Sequence, residues 1–215
     1  MKQISVMAAG WTVTTLAVSV AITGCGGDKS STPSSSAKSS SSSSAAPSSA
    51  GPTSSSAAAQ PTDYSNLLIK PTDIVVPNDT FKLMQTVPVP NPAGISGLFM
   101  NQAGARSIDD TIYVYPDANA AAQARDAAVK QIADPDMGVR GGAATPVDVG
   151  TGGTMAIGTT IKAEGPQAKG SIMFSEGRTF VDIEFQSPSG DPVPADFVVD
   201  VARKQDAAIK AGLPG

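Results

Sequence analysis

The hydrophobic and polar positions of this chain follow three rhythms in turn. Through residues 4–22 apolar residues run almost unbroken, relieved by Gly10 and a few hydroxyl side chains. Through residues 26–60 large apolar residues vanish, and Ser, Ala, Thr, Pro and Gly fill a sparsely charged tract. Periodic patterns return near Asp63. The cleanest is Thr111-Ile112-Tyr113-Val114-Tyr115, whose period of two predicts a half-buried strand. Pro116 ends it, and Asp117 can cap a helix running to about Ile132. Ala121, Ala124, Ala128 and Ile132 share one face of that helix, so it can approach a sheet closely. Asp134-Pro135 terminates it.

Further strands are predicted over 97–100, 146–149, 154–163, 170–175 and 179–186, the last two joined tightly through Glu176-Gly177-Arg178. Pro194 opens a C-terminal helix with the apolar stripe Phe197, Val198, Val201, Ala208 and Ile209, ended by Gly212 and Pro214. Ahead of these, 64–69 suits a short helix or a buried strand, and 73–76 and 81–86 suit short extended pieces. Pro88, Pro90 and Pro92 predict an irregular loop outside any sheet.

Strands, helix, meander, helix is an α+β order. It predicts a single antiparallel sheet of five to seven strands with the two main helices packed on one face. Ile112, Val114, Ile172, Phe174, Val181, Ile183 and Phe185 would face the helices. Tyr113, Tyr115, Ser171, Met173, Phe180, Asp182 and Glu184 would line the opposite face. There Tyr113, Tyr115, Met173 and Phe180 make a candidate binding face, an apolar patch rimmed by acids. Alternatively the proline-rich segment 87–95 folds over them as a second small core.

Charge and composition narrow the chemistry. The net charge is −4 and becomes −5 if a leader carrying Lys2 is removed. An acidic domain with no basic cluster offers no footprint for nucleic acid. The sequence has no histidine and one cysteine, Cys25. Ser-His-Asp and Cys-His catalysis are therefore closed to it, and neither a metal of the usual N/S type nor a cofactor is expected. These readings favour a non-enzymatic binding or interaction domain, expected to be a monomer.

A hydrolase is the alternative, using carboxylates or a serine with a lysine base. Asp182 and Glu184, two apart on a strand, would project from one face about 6 to 7 Å apart, a spacing that acid and base roles can use. The plainer reading of the pair is a solvated outer face. Gly150-Thr151-Gly152-Gly153-Thr154 lacks the Lys-Ser/Thr ending of a phosphate loop and reads as a strand connection. Arg125, Lys130, Arg203 and Lys204, with Asp126, Asp200 and Asp206 nearby, read as solvated helix faces.

The N-terminal stretch carries the most specific motif. One basic residue, an apolar run and then Ile22-Thr23-Gly24-Cys25 resembles the lipobox of bacterial lipoproteins. The resemblance implies cleavage after residue 24 and a diacylglyceryl thioether at Cys25, with anchoring chains that contribute about 0.8 kcal/mol per buried CH₂. The expected organisation is a signal peptide over 1–24, the lipidated cysteine and a disordered linker over 25–62, and a globular domain over 63–215. As a flexible coil the linker would span roughly 30 to 35 Å. Lipobox, Ser/Thr/Pro stalk and histidine-free α+β domain together resemble actinobacterial cell-envelope lipoproteins of the LpqN/LpqT type. That layout implies a Mog1/PsbP-like α-β-α domain; extracytoplasmic sensor-type domains are the other candidate, although they usually carry disulfides. The resemblance implies an extracytoplasmic location on the cell membrane, and an envelope lipid, glycan or protein as the ligand.

Trp11 is the only tryptophan. A processed chain should show tyrosine emission alone when extracted from its membrane, whereas tryptophan emission would mean that the leader is retained.

Overall fold

The computed structural model describes residues 63–213. The expected signal peptide, Cys25 and the linker lie outside the described residues. Alternating apolar positions generate seven strands: β1 (Phe81–Pro90), β2 (Ala93–Asn101), β3 (Ser107–Val114), β4 (Thr145–Pro146), β5 (Thr151–Lys162), β6 (Gly165–Glu176) and β7 (Thr179–Pro188). They form one antiparallel sheet in the order β1-β2-β3-β7-β6-β5-β4. Two helices complete the domain, α1 (Ala118–Val129) between β3 and β4 and α2 (Ala195–Gly212) after β7. The α+β class and the single antiparallel sheet agree with the sequence pattern.

The helices do not share a face. Ile172, Phe174, Val181, Ile183 and Phe185 pack with Val198, Val201, Ala202 and Ile209 of α2. Met173 and Phe180, of opposite parity on the same strands, pack with Ala124, Ala128 and Val129 of α1 and with Ile132 and Val139 beyond it. Strands β6 and β7 are central and apolar on both sides over their β-hairpin end, so each side needs a cover. A cover on one side alone would leave Met173 and Phe180 in water. The result is a three-layer arrangement with one helix on each face.

The proline-rich segment is also not a loop. Pro88 and Pro90 lie in β1, paired opposite Ile95 and Ala93. As the first strand of the sheet, β1 has one side without a partner strand, and there a missing N–H interrupts no ladder. The tight turn after it contains a cis Asn91–Pro92 peptide.

The face under α2 is completed by the chain before β1. Two short 3-10 turns, Ser65–Leu67 and Pro71–Asp73, bring Leu67, Leu68, Ile69 and Ile74 into the core. Gly97 in β2 makes room for this, since a Cβ there would come within 2.9 Å of Leu68 Cδ1. The segment is pinned by Gln205 of α2, fully buried, which donates from Nε2 to the Leu67 carbonyl at 2.7 Å and accepts from the Ile69 N–H at 2.9 Å. Lys204 adds a bond from Nζ to the Asp73 carbonyl at 2.7 Å.

Replacing Gln205 by Ala strands one buried N–H and one buried carbonyl, each of which costs about 1 to 3 kcal/mol when left unpaired. The Gln205→Ala chain should lose about 2 to 6 kcal/mol in urea unfolding; an unchanged midpoint would show that the clamp is dispensable.

Candidate functional site

On the α2 face, where β1, β3 and β7 meet the start of α2, the domain opens into a cleft of about 390 Å³. That is within the range of small-molecule sites. Its walls are Val75, Val76, Phe81, Ile108, Phe185, Val193 and Phe197. Phe197, in the first turn of α2, packs edge-on against Phe185 at 5.7 Å and lies 6.4 Å from Phe81. The Asp191-Pro192-Val193-Pro194 stretch aims the helix start at this spot, Pro194 standing at the N-cap with no side-chain cap.

The rim is polar and mostly acidic. Arg106 gives Nε to Asp191 at 2.6 Å and Nη1 to Asp79 at 3.5 Å. The Asp191 hydrogen bond holds the guanidinium above its ordinary pKa. Asp79 is held below the usual carboxylate range, chiefly by the Asn101 amide at 2.8 Å. Asp196 sits in the first turn of α2, already answering the helix dipole, and Asp200 pairs with Lys204. With Asp191, Asp196 and Asp200 around a single arginine that is already engaged, the mouth disfavours a further anion. The chemistry is that of a receptacle for an apolar group with an uncharged end.

The residues singled out from sequence lie on the other face. Tyr113, Tyr115, Met173 and Phe180 are brought together there, Tyr113 stacked on Phe180 at 5.6 Å and 12°. The proline segment does not cover them; α1 and the chain around Ile132 and Val139 do. Met173 and Phe180 are buried and the two tyrosines half-buried. Burial raises the pKa of both tyrosines, with the nearby Asp182 charge adding to the effect at Tyr113. As an open apolar patch this face is mostly taken up by the domain's own second core.

Past the end of α1 the same face turns polar. Asp182, half-buried on β7, stands opposite Thr111 of β3 and Met173 of β6. Its pKa is raised to about 7 by burial first and then by Glu184, against the pull of Lys169. Glu184 accepts from Lys169 Nζ at 2.7 Å, and Lys169 is only 6% exposed. Asp109 accepts from Ser96 Oγ at 3.0 Å, and Thr111 Oγ1 donates to Ser96 Oγ at 3.1 Å. Asp110, next in the chain, points to the α2 face instead. It is fully buried, its two carboxyl oxygens lack partners, and burial raises its pKa well above the usual range.

Two other sequence readings resolve here. Arg125 is not on a solvated face: it is 8% exposed, donating to Asp126, to the Thr151 carbonyl at 2.9 Å and to Ser175 Oγ at 2.8 Å. The Gly150–Thr154 glycines serve that seat. At Gly152, φ +64°, a Cβ would lie 2.6 Å from the Arg125 guanidinium carbon, and the β5–β6 register shifts between Thr151 and Thr154. The cleft itself escaped sequence reasoning because its walls come from five separated stretches. The one available signal was Phe197, a large aromatic in the opening turn of a helix behind two prolines.

Asp182 has a folded-state pKa above its unfolded value, so on raising the pH the unfolded state releases its proton first. The associated stability is intact below about pH 4 and is lost as pH rises toward about 7. Asp182→Asn should therefore unfold at higher urea than the unaltered chain at pH 7.5, with the difference vanishing at pH 4. A difference that is equal at both values would contradict this assignment. Compared with known proteins, the chain matches no family model, no curated protein and no solved structure.

Proposed function

We propose that this chain is a cell-envelope lipoprotein, held on the outer side of the cell membrane through a lipidated Cys25, whose domain binds a neutral apolar ligand without covalent chemistry. The observation that carries the binding role is the cleft of about 390 Å³ beside α2, apolar within and acidic at the mouth. The anchor is supported by Ile22-Thr23-Gly24-Cys25 at the end of an apolar run and by the hydroxyl-rich tract behind it. Helices on both faces of an antiparallel sheet support the resemblance to the Mog1/PsbP type. A ligand drawn from the lipid phase would suit a domain tethered within reach of it.

The described residues contain no tryptophan, so a reporter can be placed at Val75, which lines the cleft and is 64% exposed. In the full chain carrying Trp11→Phe and Val75→Trp, 1-dodecanol should shift the emission to the blue and saturate. Dodecanoate should bind at least about tenfold more weakly, a difference of about 1.4 kcal/mol, and Phe197→Ala should weaken dodecanol. No saturable shift, or equal affinity for alcohol and carboxylate, would count against the reading.

A further inference from the structure

The two sides of the cleft mouth belong to separate stretches of chain. One is the turn 75–79, which carries Val75 and Val76 into the cleft wall and in which the Asp79 N–H donates to the Val76 carbonyl at 3.3 Å. The other is the stretch 189–193 leading into α2, where the Asp191 N–H donates to the Pro188 carbonyl at 2.9 Å. Each of these bonds runs back into its own segment. What reaches across the mouth is a side chain. Arg106, just before β3, meets Asp191 on one side at 2.6 Å and Asp79 on the other at 3.5 Å.

The two sides are not held alike. Asn101, 8% exposed, donates from Nδ2 to Asp79 at 2.8 Å and accepts on Oδ1 from the Ala105 and Arg106 N–H groups, each at 2.9 Å. The turn and the Arg106 backbone are thereby fixed to one another. Opposite them, Ser187 and Val193 are buried, and Ser187 Oγ donates to the Asp191 carbonyl. Between those anchors Gly190 stands clear, with no atom within 4 Å of where a Cβ would be. The Asp191 side chain is 42% exposed and that of Arg106 37%. An ion pair open to water to that degree holds weakly and yields to salt. Both residues line the apolar cleft and also the polar hollow beyond it, beside Asn78 and Gln102. The pair is therefore a partition, and when it parts the cleft opens sideways to water.

We propose that the Arg106–Asp191 pair is a latch, which closes the cleft mouth over a bound apolar group and must part for that group to enter or leave. The latch rests on the cleft being a binding site for such a group. Because the pair stands closed in the empty and the occupied chain alike, weakening it speeds entry and exit by the same factor and leaves the affinity as it was. A rim residue that only touched the ligand would instead change the exit rate and the affinity together.

The test is stopped-flow fluorescence with 1-dodecanol on the full chain carrying Trp11→Phe and Val75→Trp, alone and with Arg106→Gln, Asp191→Ala or both. Arg106→Gln should raise the entry and exit rates together by about twofold to fivefold, the range that exposed ion pairs supply, with Kd unchanged. Asp191→Ala should act likewise, and the double variant should be no faster than the faster single one, because both changes remove one interaction. Raising NaCl from about 0.05 M to about 1 M, where screening acts within about 3 Å, should speed exchange in the parent chain relative to Arg106→Gln. A parent chain with no saturable shift overturns the binding site and the latch with it. Saturable binding whose rates are unchanged in Arg106→Gln, or whose Kd rises with the exit rate alone, overturns the latch and leaves the binding site standing. Should Arg106→Gln disturb the fold, Asp191→Ala and the salt dependence of the parent chain decide.

Discussion

The domain depends on one constraint, that its central strands β6 and β7 carry apolar side chains on both parities. Val181, Ile183 and Phe185 point one way and Phe180 the other, and β6 does the same with Ile172 and Phe174 against Met173. Such strands can be desolvated only from both sides. The C-terminal helix and the N-terminal turns answer one side, joined through Gln205. The first helix answers the other, its alanines allowing it to sit close. With no cysteine after Cys25, this sandwiching is what holds the domain together.

That cover stops short on both faces. On the α2 face the helix begins short of the sheet's end, so Phe81, Phe185 and Phe197 surround a space that no side chain fills. On the α1 face a helix of twelve residues reaches over Tyr113, Met173 and Phe180 but not over Asp109, Asp182 and Glu184. The first gap is apolar because it continues the main core. The second is polar because a half-covered sheet face must meet water, and there the burial of Asp182 makes its charge costly. Asp110 shows the same tension without an opening, a carboxyl inside the core whose pKa burial raises well above the usual range and whose oxygens have no partner.

Much of the fold was legible in the sequence because strands announce themselves by period. The alternation through Thr111–Tyr115 and 179–186, the Glu176-Gly177-Arg178 turn, the Asp117 cap at 2.9 Å from the Ala120 N–H and the start of α2 at Pro194 all stand where the pattern put them. What period cannot reveal is which layer lies over which face. The alanine stripe of α1 says that it packs closely, not on what, and the outward apolar residues of β3, β6 and β7 suggest either an open patch or a cover by the proline segment, where the structure supplies α1 instead. The proline segment was misread because the rule against proline in sheets holds for inner strands, and position at an edge is a property of topology. Arg125 and the glycine run looked separately like a surface charge and a loose connection. Their meaning as one packed unit exists only in three dimensions.

The central claim is that an apolar molecule occupies the gap between α2 and the ends of β1, β3 and β7. Its most direct test is native mass spectrometry of the full chain extracted from its own membrane in mild detergent. The account predicts a one-to-one adduct of an uncharged apolar compound, reduced when Phe197 is replaced by Ala and unaffected by Asp182→Asn. A chain that carries no such adduct, or one that persists unchanged in Phe197→Ala, would contradict it.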